Sequence, residues 1–481
     1  VSSNSMIRIG KNAFILAAAI LLGLMIVSGI LTRTVEAGGY ERIQVDGRLQ
    51  VVPGSFEYSP KPDYPVWRWF TAPVEVLYAP GSITVITIIL FLVIVGGSFT
   101  VLERGDVLSA FLRRIAAHMQ NRRFLLMAAL QAFFFVSAAV LGIFEAMVPL
   151  IVFVVPLAHI LKWDTLTGLG MSLLPLAFGF SAAVTNPFTI GVAQTIAELP
   201  LFSGAWLRII FMVIVFTIVH LSVRRYARRV EGAPESSPVW EEDRVIRDAI
   251  GDTSDDVGFS GEQKRALLWF GANMGLAVLF IIATARIPAV SMYAFPLMAL
   301  LFLTGGIGAG RLSGMTWRAI GATFGHGTVN MLPGVLLIMM SMSVKHIVDS
   351  GGITDTILHS IAGSIADRPP VVAGFLIYGA TLAMNFFIGS ASAKAFLMMP
   401  ILTPLADLVG LTRQTAVLAF GFGDGFSNML YPTNALLLIG LSFTTVSWIK
   451  WVRWTIPLQL IVLAISAVFI VVAVQIGYGP F

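Results

Sequence analysis

The chain contains no cysteine, which removes disulfides, thiolate metal sites and cysteine nucleophiles from consideration. Charge is also scarce: only 12% of the 481 residues are Asp, Glu, Lys or Arg, where soluble domains run near a quarter. No H-E-x-x-H occurs, no phosphate loop ending in Gly-Lys-Thr/Ser, and no G-x-S-x-G elbow. An ATP-driven pump or an intramembrane protease therefore has no support, and no enzyme is expected. The six histidines, His118, His159, His220, His326, His346 and His359, show no zinc-ligand spacing. The net charge of +5 does not point to nucleic acid, because much of the excess sits in short loops.

What is abundant is apolar surface: 57% of the residues are hydrophobic. A helix needs roughly 20 apolar residues to cross the hydrocarbon core. Ordinary spans fit about 12–31, 82–102, 204–222, 266–285, 288–308, 329–346 and 453–476. The first, "NAFILAAAILLGLMIVSGIL", follows Arg8 and Lys11 and looks like a signal peptide, with "VEA" at 35–37 as a cleavage site. Its apolar run exceeds a usual signal core, so it reads as a retained anchor.

Two segments, about 165–200 and 413–443, are apolar at both ends and polar in the middle, and read as broken spans. Two others, about 125–157 and 371–405, would each be roughly 50 Å long as one straight helix. Their centres, "LGIFEAM" and "FFIGSASAKAF", are small and polar. Two half-length helices meeting in a re-entrant hairpin fit better, a backbone tolerated only within protein or beside a wet cavity. The expected fold is an all-α polytopic membrane protein with about nine full spans and two hairpins.

The chain repeats at an offset of 248. "VPLAHILKWDTLTGL" at 155–169 parallels "TPLADLVGLTRQTAV" at 403–417, and Thr185-Asn186 falls on Thr433-Asn434. The spans near 82 and 204 fall on those near 329 and 453, and Glu145 comes within one residue of Lys394. An odd number of crossings separates the hairpins, so the second copy is expected to be inverted, as in many secondary transporters. The expected division is 1–81, an anchor helix and extracytoplasmic loop; 82–222, the first repeat; 223–265, a cytoplasmic linker; 266–328, connecting spans; and 329–481, the inverted repeat. The polar linker reads as a solvated loop without chemistry. Segments 104–121 and 351–368 read as amphipathic helices along opposite membrane faces. Of the 31 Lys and Arg residues, 20 fall in the loops this topology assigns to the cytoplasm, 10 lie opposite, and Lys394 is in the membrane. That asymmetry places the N-terminus inside and the C-terminus outside.

The stretch "GFGDGFSNMLYPTN" at 421–434 carries Asp424, Ser427, Asn428, Thr433 and Asn434 inside an apolar frame. It and residues 181–189, with Ser181, Thr185, Asn186 and Thr189, read as unwound helix centres. A break frees carbonyls and amides: carbonyls and Asp424 can hold a cation, while half-helix N-termini can hold a carboxylate. Asp424 is thus a candidate Na⁺ ligand; the alternative is a kinked structural helix. For Ser181 or Thr189 alone, helix packing competes evenly with ligand contact. Glu145 lies at the first hairpin tip; Ser390, Ser392 and Lys394 lie at the second, just after Asn385. Charges there are costly. They read either as a structural ion pair joining the hairpins or as substrate and coupling-ion contacts.

"LPLFSG", "GITDTIL", "MNFFIGSASAKA", "RLSGMTW" and "PILTPLADLVGLTRQTAVLAFGFGDGFSNMLYPTN" resemble the YfcC-type branch of the C4-dicarboxylate anaerobic carrier family. That branch is similar to arginine/ornithine antiporters within the ion transporter superfamily. The resemblance implies two inverted repeats whose tips and breaks hold cation and substrate, elevator transport, and a homodimer. The chain departs from the family pattern at three places. The first tip reads "GIFEA", keeping only Glu145 of a Glu-Glu pair and placing Ala146 after it. The second reads "SASAKA", with Lys394 for a glutamine. The last motif has Asn434-Ala435 for Ser-Gly. The function expected is secondary transport of a carboxylate-bearing metabolite, an amino acid (basic ones included) or a C4-dicarboxylate, across a bacterial inner membrane. An Na⁺ or H⁺ gradient or exchange would drive it, with no other cofactor. The alternative is a non-transporting membrane scaffold, which would have no need of costly charges at tips and breaks.

Overall fold

The computed structural model of the chain describes residues 11–45, 48–108, 114, 119–250, 260–284 and 294–479. Half of the segment 104–121 and the start of the span expected at 288–308 lie outside the described residues. Helices dominate, and seven of those described are long and apolar enough to cross a membrane. Shorter apolar helices cover Met147–Ile160, Pro296–Leu312 and Pro370–Asn385. The protein is an all-α polytopic membrane protein.

Helices Lys11–Thr34, Ser82–Arg104, Gly261–Thr284, Ala294–Leu312 and Trp317–Ser350 pack on one another as a scaffold. Small residues permit this closeness: a Cβ added at Gly327 would lie 2.6 Å from the Gly96 carbonyl and 2.9 Å from Gly97 Cα. Trp317–Ser350 starts well before the span expected at 329–346 and has 34 residues, about 51 Å of helix.

The remainder forms a second bundle. Its first hairpin runs Arg123–Val136, continues as a π-helical turn Ser137–Leu141, reverses at Gly142, and returns through Glu145–Leu150 and Ile151–Ile160. Gly142 has φ 68°, and a Cβ there would strike the Asn186 side chain at 2.2 Å, so this tip requires glycine. The second hairpin joins Pro370–Asn385 to Ala391–Leu408. The first broken helix runs Thr165–Met171 and Leu173–Ala182, then resumes at Pro187–Gly191 and Val192–Ile196. The second runs Arg413–Asp424, turns at Phe426–Met429, and resumes at Ala435–Ser442. Ala205–Gly232 and Trp448–Gln475 pack against these elements.

Local geometry repeats at the same offset. Asp164 caps the first broken helix through the Thr167 amide at 2.8 Å, and Thr412 caps the second through Thr415 at 3.2 Å. Just before them, Lys162 (φ 65°) and Gly410 (φ 71°) hold the same left-handed turn. The two copies run in opposite directions. Asp164 accepts from the Tyr226 hydroxyl at 2.5 Å, near one end of Ala205–Gly232. The Thr412 hydroxyl donates to the Tyr478 carbonyl at 3.0 Å, and the Tyr478 hydroxyl donates to Gly204, at the other end of that helix. About 33 Å of helix separates the two starts.

Two polar segments are more ordered than their composition implies. The loop after the first helix forms two antiparallel ladders, Gly38–Gly39 with Glu57–Tyr58 and Arg42–Val45 with Arg48–Val51, and a helix Arg68–Glu75. The linker, read as solvated, is docked instead. Helix Ala205–Gly232 extends into it, and Asp243 is fully buried. The Asp243 carboxylate accepts from the Thr165 amide at 2.9 Å and from the hydroxyls of Thr165 and Thr445 at 2.6 and 3.0 Å, with His159 Nε2 at 3.5 Å. Burial pushes this carboxyl above its ordinary range, against the opposing His159 charge and the Thr165 hydrogen bonds.

Candidate functional site

Asparagine restarts the helix after both breaks in the same way. In the first, Ala183 takes a left-handed conformation (φ 40°) that stops the helix. Asn186 then starts the next turn, its Oδ1 accepting from the amides of Phe188 and Thr189 at 2.9 and 3.2 Å. In the second, Asn434 Oδ1 accepts from Leu436 and Leu437 at 2.9 and 3.3 Å. The threonine before each asparagine ties its break to its own hairpin. Thr185 Oγ1 donates to Val140 at 3.0 Å and Thr433 Oγ1 to Phe386 at 2.6 Å. Thr189 Oγ1 accepts from Asn186 Nδ2 at 3.1 Å, a local role. The breaks meet where Ser181 crosses Gly425: a Cβ on Gly425 would lie 2.1–2.3 Å from Ser181 Oγ, N and Cα. Ser181 Oγ is buried and has no hydrogen-bond partner among the described residues.

The second hairpin and second break share a buried polar cluster. Lys394 Nζ lies 2.5 Å from Asp424 Oδ1, and both side chains are fully buried. Lys394 also donates to Asn385 Oδ1. Asn385 Nδ2 reaches the Asp424 carbonyl, Ser427 Oγ and Asn428 Oδ1 at 3.0, 2.6 and 2.9 Å. Asn428 Nδ2 reaches the same carbonyl at 2.9 Å, and Asn434 Nδ2 donates to Asn428 Oδ1 at 2.7 Å. Ser427 Oγ donates to Gly423 at 3.1 Å. No amide or hydroxyl among the described residues reaches either carboxylate oxygen of Asp424. Among the described residues, the ammonium is its one neutralising partner.

Each charge sits at an unfavourable helix end. Lys394 lies in the first turn of Ala391–Leu408, the positive end of that helix, and Asp424 is the last residue of Arg413–Asp424, the negative end of the other. Each is the neutralising partner the other's position calls for. A membrane protein retains such a pair at a cost, because both ions leave water.

The family described as C4-dicarboxylate anaerobic carrier, DcuC, matches residues 14–475. The chain belongs to the DcuC family. It is 31% identical to the Escherichia coli K12 protein named "Putative basic amino acid antiporter YfcC", over 95% of this chain and 96% of that one. An uncharacterized Haemophilus influenzae protein is 25% identical over 82% of this chain and 77% of its own. Among solved structures, the YdaH transporter of Alcanivorax borkumensis has a TM-score of 0.40 at 18% identity, covering 97% of this chain and 99% of that one. MtrF of Neisseria gonorrhoeae has a TM-score of 0.40 at 16% identity, covering 96% and 95%. DcuC proteins are carriers, so the chain is a membrane transporter and not an enzyme.

Within this DcuC-family chain, Lys394, Asn385, Asp424, Ser427, Asn428 and Asn434 form one cluster. Ser181, Thr185, Asn186 and Thr189 build the other break. Ser390 is exposed and caps the tip helix, accepting from the Ala393 amide at 3.5 Å; Ser392 beside it is half-buried. The side chain of Glu145 lies outside the described residues, so its offered pairing with Lys394 is not placed. Sequence reasoning passed over Arg208, which is fully buried and donates to the Val184 carbonyl from Nε and Nη2 at 3.3 and 3.1 Å. It satisfies a carbonyl freed by the first break, as Asn385 and Asn428 do at the second. The available signal was an arginine four residues into an apolar span.

Proposed function

We propose that this transporter is a secondary carrier for a small carboxylate-bearing metabolite, a basic amino acid or a C4-dicarboxylate, working by exchange or on an ion gradient. The observation that carries the reading is the buried Lys394–Asp424 pair where a hairpin tip meets a helix break. Breaks and tips put ligand-ready helix ends at mid-membrane. The exposed tip at Ser390 presents a helix N-terminus suited to a substrate carboxylate, one turn from the lysine. Basic amino acids enter from the name of the Escherichia coli relative, and C4-dicarboxylates from the family description.

The motion we favour is a slide of the hairpin bundle along the scaffold. Their interface is incompletely filled. An apolar cavity of about 610 Å³ lies between Leu102, Phe270 and Met274 of the scaffold and Leu150 and Phe153 of the first hairpin. The bias of Lys and Arg supports a cytoplasmic N-terminus and outer C-terminus in a bacterial inner membrane. A homodimer is our reading for the assembly.

Counterflow in proteoliposomes tests the proposal. Vesicles loaded with arginine, lysine, ornithine, succinate or fumarate should accumulate the matching labelled compound, and at least one pair should exceed empty vesicles. Failure of every pair with folded protein would favour a non-transporting scaffold.

A further inference from the structure

We infer that Lys394 is a resident cation, tethered where a dissociable ion would otherwise sit on Asp424, and that this carrier therefore moves its substrate without Na⁺. The inference rests on the transport reading above and specifies its coupling.

The ammonium disfavours a second cation beside Asp424. Its carboxylate meets one ammonium at 2.5 Å, and an added metal ion would face that positive charge across the same oxygens. Two carbonyls of the break are engaged as well. The Asp424 carbonyl already accepts from Asn385 and Asn428, and the Gly423 carbonyl from Ser427. The ammonium is held on its other side by Asn385 Oδ1, an acceptor that fixes its position without neutralising it.

The helix-end placement makes the substitution readable. Asp424 at a helix C-terminus is a carboxylate that attracts a cation twice, through its own charge and through the helix end. Lysine answers that demand from a neighbouring helix and cannot dissociate. With a neutral residue at 394, Asp424 would be buried and unpaired, and Na⁺ would then take the place of the ammonium. Lysine also keeps Asp424 neutralised when the tip is empty, so substrate binding and cation binding are no longer linked events.

The test compares the full-length wild type with Lys394→Gln and Lys394→Gln/Asp424→Asn, in NaCl and in choline chloride at equal ionic strength. Thermal midpoint in detergent and counterflow in proteoliposomes are both read. Wild type should give the same midpoint and the same rate in either salt. Lys394→Gln should gain a midpoint several degrees higher in Na⁺, at roughly 100 times the Kd it acquires. Adding Asp424→Asn should abolish that gain. Faster wild-type counterflow in Na⁺, or a wild-type midpoint raised by Na⁺, overturns the inference without any variant being needed. A folded Lys394→Gln indifferent to Na⁺ overturns it as well. Absence of wild-type counterflow in both salts would instead sink the transport reading, and the midpoints would still decide who occupies Asp424.

Discussion

Gly425 shows how little freedom the site has at the level of single atoms. Its missing side chain lets the second break pass directly over Ser181 of the first, and a methyl there would meet Ser181 Oγ, N and Cα within 2.3 Å. Two of those three atoms are backbone and cannot rotate away. Gly425→Ala should therefore separate the broken helices, costing about 1–3 kcal/mol by overpacking and most of the transport. Thermal melting and counterflow measure both. Ser181→Gly in the same chain should not rescue it, because the backbone atoms remain; full rescue would mean that the hydroxyl alone is the obstacle. At this scale the sequence was informative about residue types and poor on partners. Asp424 and Lys394 stand out as charges in apolar runs. That they pair with each other depends on which helix ends the tertiary packing brings together. Arg208 was missed for the same reason: a basic residue near a span end reads as an interface anchor until the carbonyl it serves is placed.

The elements were far more legible, because the signals that make them are local. Apolar length separates spans from hairpins, and glycine, proline and asparagine mark where a helix stops and restarts. Asn186 and Asn434 share an offset of 248 and do the same job, each closing two amides at a restart. Asn186→Ala and Asn434→Ala should each lower stability by about 1 kcal/mol. Serine at either position should retain the cap without burying a charge, so Asn→Ser variants should melt above their alanine counterparts; equal melting would deny the capping role. The outer loop and the linker were not legible, since polar sequence does not say what it docks on. Glu75 is an example. Burial would raise its carboxyl, but hydrogen bonds from Arg68, Thr71 and His346 and the Arg68 charge hold it down at about 2, against an ordinary 4.5. A depressed carboxyl stabilises the docked loop above the ordinary value and stops doing so as pH falls through the depressed one. Protease sensitivity of the loop should be flat from neutral pH to about 4.5 and rise below it. Glu75→Gln should already be sensitive at neutral pH, with a flatter acid response.

At the scale of the whole molecule, one question separates a sliding carrier from a fixed site: whether the hairpin bundle must move past the scaffold. Gly334 of the scaffold helix Trp317–Ser350 faces Ser442 at the end of the second broken helix, where an added Cβ would lie 3.0 Å from Ser442 Cβ and 2.7 Å from its hydroxyl. A little way along, Ser341 donates to the Thr433 carbonyl at 2.6 Å, so the two bodies touch through small residues over about two turns. Disulfide Cβ atoms sit about 3.5–4.5 Å apart, so Gly334→Cys with Ser442→Cys needs only a slight separation to form a bridge. The absence of cysteine from the natural chain makes such a bridge unambiguous. If transport requires sliding, oxidation of the double variant should abolish counterflow, a thiol reductant should restore it, and each single variant should be indifferent to both treatments. Binding of substrate to the oxidised protein, followed by a thermal shift, should survive, because the Lys394–Asp424 cluster lies within the bundle and is not crossed by the bridge. Full counterflow in the quantitatively cross-linked protein would rule out the sliding motion and leave local gating by the hairpin tips as the means of access.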